Sequence, residues 1–308
     1  MDNKNYEVMQ NFNINNIPSL SICVLGALEF LSSIPLPKIS VRKKDRILVV
    51  GSGNALVVGK MIFSKYDATF RTESTYIEEL TVASFDHAFL ISASGGKHAP
   101  GIAKVLKKKR IKTSLITNNL DAKAQKFVDK TYFFPRMKEP YTYNTSTYIS
   151  IIIGYTKESI PKIYRNVKKV DKNLPKNLPK YSSFYFIIPT KFDAVKEMFE
   201  TKFDELFGPK IMGKVFTVEE IKHAKTVVNS KDELFVSMGF KNYVYGLKKN
   251  RYELKIPKNI NFGEFLAIGY YFIGKIQEAN PNYFGKNINN YTMEASKLFN
   301  EKISAIVE

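Results

Sequence analysis

Three apolar segments between residues 47 and 117 each end in a loop of small or hydroxyl-bearing residues, and this pattern constrains the fold most. The first, Ile47–Val50, leads into Gly51-Ser52-Gly53-Asn54-Ala55. The second, Ala88–Ile91, leads into Ser92-Ala93-Ser94-Gly95-Gly96-Lys97-His98. The third, Thr113–Thr117, ends in Asn118-Asn119. Buried strands followed by glycine-rich loops and helices are typical of an α/β fold, in which backbone N–H groups at a helix start face an anion.

Strands and helices alternate from Arg46 to about Gly154, which predicts a mostly parallel sheet flanked by helices. The sequence predicts the helix after the second loop most clearly. Pro100 lies in its first turn, and the basic run 107–110 at its end complements the helix dipole. That run therefore needs no nucleic acid to explain it.

The second half repeats this α/β style after a proline- and lysine-rich segment, 156–182, that is typical of a connector. Strands are predicted at 184–188, 232–237 and 252–256, and helices at 193–207 and 263–276. Another helix is expected to begin near Thr217, because Thr217 and Glu220 fit a capping box. The predicted organisation is an N-terminal helical segment (1–44), a first domain (45–155), a linker (156–182) and a second domain with a C-terminal tail (183–308).

Composition narrows the setting. The chain has 308 residues, 44% of them hydrophobic, so it can bury a large core. Its single cysteine, Cys23, excludes an intrachain disulfide and predicts a reducing, cytoplasmic location. Residues 2–16 lack the pattern of a signal peptide, and the apolar segment 20–31 is too short to span a bilayer and is expected to be a core helix. No membrane association is predicted.

The formal net charge of +18 has two interpretations. One is nucleic-acid binding, and the other is a lysine-rich surface that would also attract an anionic substrate. The second is preferred because no nucleic-acid-binding motif accompanies the charge. The glycine loop at 51–55 lacks the third glycine of a dinucleotide fingerprint and the Lys-Ser/Thr of a P-loop, and no Cys/His spacing suggests a metal site. No cofactor is therefore predicted.

The loop Ser92-Ala93-Ser94-Gly95, with Leu115-Ile116-Thr117-Asn118 one helix later, resembles the sugar isomerase (SIS) domain family. In that family a Ser-x-Ser-Gly-x-Ser/Thr loop binds the phosphate of a phosphosugar. The resemblance covers residues 45–155 and 180–308 and implies two SIS domains, each a flavodoxin-like three-layer sandwich. The substrate- and phosphate-binding residues that it implies are Gly51, Ser52, Gly53, Asn54, Glu73, Ser92, Ser94, Gly95, Gly96, Lys97 and His98. Lys97 departs from the family, which has a hydroxyl there, although lysine can serve phosphate as a point charge.

The second half carries the catalytic part of the resemblance. Lys202-Phe203-Asp204-Glu205 is similar to the family's Lys-x-Lys-Glu, whose glutamate shuttles a proton. Glu219-Glu220-Ile221-Lys222-His223 is similar to its Glu-Leu-Lys-His-Gly, whose histidine opens the sugar ring. The C-terminal tail resembles the family's, whose lysine reaches the active site. Lys302 is the preferred match, and Lys297 is an alternative.

The residue types suit aldose–ketose isomerisation. Moving a proton between C1 and C2 needs a carboxylate whose pKa is raised by burial, so that it can accept and donate. Glu205 lies at the edge of an apolar helical stripe, where partial burial is expected. Histidine suits ring opening, and a lysine would stabilise the developing oxyanion. Among the other histidines, His98 is expected to contact phosphate or to cap its helix, and His87 is expected to be on the surface.

The resemblance implies a phosphosugar isomerase acting on a hexose or amino-hexose 6-phosphate, with deamination of glucosamine 6-phosphate left open. Because active sites of the family form at domain and subunit interfaces, it also implies a homodimer. Lys97 and the residues that follow His223 keep a second hypothesis open, a non-catalytic sugar-phosphate-binding regulatory protein. Nucleic-acid binding through the basic surface is the third.

Overall fold

The structure is a computed structural model that describes all residues 1–308 and contains ten α-helices and eleven β-strands. The helices are α1 (Lys4–Asn11), α2 (Leu20–Leu31), α3 (Asn54–Phe63), α4 (Tyr76–Val82), α5 (Ala99–Lys108), α6 (Thr145–Thr156), α7 (Ile160–Lys169), α8 (Lys196–Phe207), α9 (Phe262–Ala279) and α10 (Tyr283–Phe299). The strands are β1 (Ile47–Val50), β2 (Ala68–Arg71), β3 (His87–Ile91), β4 (Lys112–Thr117), β5 (Lys130–Phe133), β6 (Glu139–Pro140), β7 (Ser183–Ile188), β8 (Met212–Thr217), β9 (Glu233–Met238), β10 (Arg251–Leu254) and β11 (Ile306–Val307). No helix combines the length and hydrophobicity needed to cross a lipid bilayer.

The chain divides into two compact units. The first-sheet unit comprises residues 34–136 and 146–157. The second-sheet unit comprises residues 1–33, 137–145 and 158–308. The segment 156–182, which was expected to be a connector, contains α7 and belongs mostly to the second-sheet unit.

The first sheet has five parallel strands in the order β2-β1-β3-β4-β5. The two central strands β1 and β3 are buried along their whole length, which explains their continuous runs of apolar residues. All five strands are parallel, but the chain leaves β1 towards β2 on one side of the sheet and leaves β3 towards β4 on the other side. Ligands of open α/β sheets bind outside the carboxyl ends of the strands at such a point. The loops that follow β1 and β3 both lie at the carboxyl ends of the strands, at this point of the sheet.

The second sheet has four parallel strands in the order β10-β9-β7-β8. A two-stranded antiparallel pair, β6 with β11, anchors the C-terminal tail in the same unit. The α/β prediction, with mostly parallel sheets flanked by helices, is therefore confirmed for both halves. Helix α2 begins and ends where the sequence predicts a core helix, and it packs against α9. At this crossing a Cβ on Gly274 would lie 2.1 Å from the backbone nitrogen of Ser21, so only glycine allows the approach.

The prediction of a helix that begins near Thr217 was wrong. Its capping box does form, because the Thr217 backbone N–H donates to Glu220 (2.9 Å) and the Glu220 N–H donates to the Thr217 hydroxyl (3.2 Å). Only a short 3₁₀ turn, Glu220–Lys222, follows it. A capping signal without an apolar helical stripe behind it therefore produces one turn rather than a helix.

The prediction for His87 was wrong, since His87 begins β3 and is only 4% exposed. Its Nε2 lies 2.9 Å from the Ser114 hydroxyl, and its ring stacks on Phe89 at 4.2 Å. Burial, together with the nearby Lys112 ammonium, lowers the pKa of His87 from 6.5 to about 4, although the neighbouring Asp45 carboxylate opposes this shift. His87 is thus a neutral core residue at neutral pH.

This burial predicts an acid-sensitive fold. Because the pKa of His87 is lower in the folded chain than in the unfolded chain, the unfolded chain binds more protons between pH 6.5 and 4. The stabilisation is fully present above pH 6.5 and is lost as the pH falls towards 4, and it amounts to roughly 3 kcal/mol. Urea denaturation at a series of pH values should show that His87→Asn loses less stability than the native protein across this range. His223→Asn, at an exposed histidine, should keep the native slope, and an equally steep slope in His87→Asn would contradict the prediction.

Candidate functional site

The carboxyl edge of the first sheet contains a cavity of about 260 Å³, which lies wholly within the first-sheet unit. Its walls come from the ends of β1 and β3, the loops after them and the start of α5. It brings together seven of the eleven residues named as substrate- and phosphate-binding: Gly51, Ser52, Glu73, Ser92, Ser94, Lys97 and His98. The others do not line the cavity: Gly53, Gly95 and Gly96 belong to the same loops, and Asn54 is the first residue of α3.

Each serine of the 92–98 loop is held by the loop's own backbone. The Ser92 hydroxyl accepts a hydrogen bond from the Gly95 N–H (3.1 Å), and the Ser94 hydroxyl accepts one from the Gly96 N–H (3.3 Å). Because a hydroxyl can accept and donate at once, both keep their hydrogen for an anion in the cavity.

The end of β4 fixes this loop from behind. The Thr117 hydroxyl donates to the Ala93 carbonyl (3.0 Å), and the Asn119 side-chain amide donates to the Ser94 carbonyl (2.9 Å). Asn118 donates its backbone N–H to the same Ala93 carbonyl (3.0 Å). Polar residues at the end of the third predicted strand therefore position the loop without lining the cavity.

Helix α5 adds a favourable electrostatic field. Its first residue, Ala99, lines the cavity, and the positive end of its dipole therefore faces the site. The His98 side chain does not cap the helix, so the capping interpretation of this residue was wrong. The phosphate-contact interpretation stays a prediction. Lys97 also lines the cavity, and its ammonium adds a positive charge to the positive end of the helix dipole.

Glycine is required in both loops by backbone geometry. Gly53 has φ +50° immediately before α3, which begins at Asn54. Gly95 has φ +58°, and a Cβ there would lie 2.5 Å from the Ala122 Cβ. Residues that carry a side chain rarely adopt a positive φ, so each glycine allows the turn that leads towards the following helix.

Glu205 lines a separate cavity of about 550 Å³ within the second-sheet unit. The end of α8 and one face of α10 form most of its wall, which includes Phe207, Phe284 and Tyr291. The Glu205 side chain is 20% exposed, in agreement with the expected partial burial. Burial raises the pKa of its carboxyl above the usual range, and the adjacent Lys202 ammonium opposes that rise.

Lys202 is the feature that the sequence interpretation missed. It is fully buried, and its ammonium forms an ion pair with Glu205 and donates to the Thr142 carbonyl (2.7 Å). The same ammonium lies 5.5 Å from the centre of the Tyr270 ring, which is a favourable cation–π distance. The available signal was its place three residues before Glu205 on an apolar helix face, where a lysine needs a partner.

The other two predicted catalytic residues line neither cavity. His223 follows the 3₁₀ turn after β8 and is exposed. Lys302 is exposed in the tail between α10 and β11. The alternative tail lysine, Lys297, is on α10 with its ammonium 3.7 Å from the Glu294 carboxylate.

Solved structures of other proteins share this architecture. Glucosamine-6-phosphate deaminase from Thermotoga maritima superimposes with a TM-score of 0.59 at 16% identity, over 85% of this chain and 94% of that chain. The C-terminal domain of glucosamine-fructose-6-phosphate aminotransferase from Francisella tularensis gives 0.55 at 13% identity, over 83% and 92%. The sequence matches no protein-family model and no curated protein sequence. At these identities the comparison establishes the fold alone, an α/β architecture with two parallel sheets that this chain shares with both proteins.

The two neighbouring glycines of the 92–98 loop provide a matched pair for a stability test. We expect Gly95→Ala to destabilise the protein by about 1–2 kcal/mol through its left-handed backbone, and by more through the contact with Ala122. Gly96→Ala should be nearly neutral, because its Cβ would make only ordinary contacts, with the Ser94 hydroxyl at 3.6 Å and the Ser94 carbonyl oxygen at 3.9 Å. Chemical denaturation of both variants measures the difference. Equal destabilisation of the two would show that this loop geometry is incorrect.

The Lys202–Glu205 pair predicts a titration effect. Because the Lys202 ammonium opposes the effect of burial, Lys202→Met should raise the pKa of Glu205 further. A carbon-detected NMR titration of the glutamate carboxyls measures this directly. Lys210→Met removes an exposed lysine from the same cavity and should leave the Glu205 midpoint nearly unchanged. An unaltered midpoint in Lys202→Met would refute the pairing.

Proposed function

We propose that this protein binds a hexose or amino-hexose 6-phosphate and interconverts its aldose and ketose forms. The observation that supports this best is the cavity at the carboxyl ends of β1 and β3. Ser52, Ser92 and Ser94 supply hydroxyl donors there, and Lys97 and the start of α5 supply positive charge. Phosphate dianions are bound by this combination of hydroxyls, cations and a helix N-terminus.

Glu205 is the proposed acid–base group. Isomerisation removes a proton from one carbon of the C1–C2 pair and returns it to the other, so one carboxyl must act as base and then as acid. A carboxyl with a raised pKa performs both steps more readily than an exposed one, since its protonated form is nearer in free energy to its ionised form. The buried Lys202 ammonium holds the carboxyl in place through their ion pair.

Ring opening and oxyanion stabilisation are assigned by resemblance to His223 and Lys302, with Lys297 as the alternative lysine. Both His223 and Lys302 are exposed in the single chain, so each is accessible to a second copy. We therefore include a homodimer in the proposal. Release of ammonia from glucosamine 6-phosphate is an alternative outcome of the same acid–base chemistry.

A second candidate is a regulatory protein that binds the sugar phosphate without converting it. The observation that favours it is Lys97, which lines the cavity where the SIS resemblance has a hydroxyl. A site that retains affinity for phosphate but has lost its original donor fits a sensor as well as an enzyme.

The substitution Glu205→Gln separates the two candidates. If Glu205 transfers the proton, this variant should lower kcat by about 10²- to 10⁴-fold, because it removes a general acid–base group. Its affinity for the sugar phosphate should stay close to that of the native protein. Coupled assays with fructose 6-phosphate and glucosamine 6-phosphate, together with calorimetric binding measurements, determine both quantities.

Asp204→Asn is the matched control. Asp204 is the preceding carboxylate of α8 and lines the same cavity, and its charge contributes to the raised pKa of the Glu205 carboxyl. Because Asp204 is exposed, its removal should lower turnover far less than Glu205→Gln does. Binding of the sugar phosphates without turnover of either one would support the regulatory protein. Turnover that persists in Glu205→Gln would exclude Glu205 as the acid–base group.

A further inference from the structure

One carboxylate lines the otherwise donor-rich cavity of the first-sheet unit. The Glu73 Oε1 lies 3.7 Å from the Nε2 of His98, and both side chains line the cavity. Glu73 comes from the turn after β2, and His98 comes from the residue before α5. Two elements distant in sequence therefore meet at the cavity through this pair.

The position of Glu73 is fixed by its own turn. The Thr72 N–H donates to the Thr75 hydroxyl (3.1 Å), and the Thr75 N–H donates back to the Thr72 carbonyl (3.2 Å). Glu73 lies between these two residues, just before α4 begins at Tyr76. The turn therefore places the carboxylate at the cavity before any ligand binds.

A carboxylate at this place is unfavourable for an anionic ligand taken alone. Two negative charges a few ångströms apart repel one another, and the repulsion grows as a ligand excludes water from the cavity. Removing the charge of Glu73 should, on Coulomb's law alone, strengthen phosphate binding. Glu73 must therefore weaken phosphate binding, accept a hydrogen bond from a hydroxyl of the ligand, or act through another group.

His98 is the group through which it can act. The backbone carbonyl of His98 accepts the Ile102 N–H (3.1 Å), while its side chain takes no part in capping α5. The imidazole is 53% exposed, so without Glu73 it would sample several orientations. A carboxylate beside the Nε2 favours a single orientation of the ring at the cavity.

We propose that Glu73 is a positioning residue, which does not contact phosphate and instead holds the His98 imidazole at the cavity as a phosphate ligand. This inference rests on the proposed binding of a phosphate ester in this cavity. It supplies a donor beside Lys97, where the resemblance would have placed a hydroxyl. It also turns a like charge next to the ligand into a favourable contribution.

A double-mutant cycle tests the inference because the two explanations predict opposite signs. The dissociation constants of inorganic phosphate and of glucose 6-phosphate are measured by calorimetry for the native protein, Glu73→Gln, His98→Gln and the double variant. Glu73→Gln alone should weaken binding about threefold or more, within the usual range of coupling between contacting residues. In the His98→Gln background the same change should leave binding unchanged or strengthen it.

Glu78→Gln is the control for charge alone. Glu78 is exposed on the first turn of α4 and does not line the cavity, so its removal should leave binding unchanged or slightly stronger. The Asp substitution at position 73 keeps the charge but shortens its reach, and it should weaken binding as Gln does. NMR of the His98 ring gives a second readout, since added phosphate should shift its signals more in the native protein than in Glu73→Gln.

The inference is overturned if Glu73→Gln binds phosphate as tightly as the native protein or more tightly. It is also overturned if Glu73→Gln changes affinity by the same factor with and without His98. Failure of the native protein to bind either ligand at millimolar concentration would instead overturn the proposed phosphate site, and with it this inference. Thermal unfolding of each variant establishes that the loss is not one of folding.

Discussion

Parallel hydrogen bonding between β1 and β3 is the constraint on which the candidate phosphate site depends. The register that pairs Val50 with Leu90 brings the loops after both strands to the same edge of the sheet. Neither loop is a binding site alone, because each supplies only one or two hydroxyl groups. The strand order 2-1-3-4-5 sends the chain in opposite directions from these two strands, which leaves a space between the loops that α3 and α5 do not fill. The cavity is therefore a consequence of topology, and the serines are the residues that line it with hydroxyl groups.

The two cavities differ in how they use charge. The first relies on a helix N-terminus, hydroxyl groups and partly exposed cations, which an incoming dianion can reach without a large desolvation cost. The second keeps a fully buried lysine against a mostly buried glutamate, an arrangement that is expensive unless both charges are satisfied. Apolar residues of similar volume in place of both partners would stabilise the fold about as well, since replacing a buried ion pair by apolar residues is often neutral or stabilising. Stability alone therefore does not require the pair, which keeps a carboxyl of raised pKa in one fixed geometry.

How far the sequence predicts this structure depends on whether the signal is local. Strands β1, β3 and β4 of the first sheet, helix α2 and the end of α8 follow from runs and periodicities within a few residues, and the structure has them where they were predicted. The edge strands β2 and β5 were not predicted. The loop residues from 92 to 98 were identified because small hydroxyl residues after an apolar strand are themselves a local signal. His87 was misjudged because its burial depends on Ser114, which lies 27 residues away. Lys202 was given no role because only the packed structure shows its charge buried against Glu205 and the Thr142 carbonyl.

Lys97 and Glu73 have to be considered together. A hydroxyl at position 97 would have left the cavity with fewer positive groups to balance the Glu73 carboxylate. With lysine there, the cavity lining carries one ammonium and one carboxylate, in addition to the positive end of the α5 dipole, and the His98 ring lies 3.7 Å from that carboxylate. A phosphate dianion in this cavity would meet Lys97 as a charge, where a hydroxyl would offer a directed hydrogen bond. At position 97 the proposed phosphate site therefore depends on electrostatic attraction rather than on the geometry of a hydrogen bond.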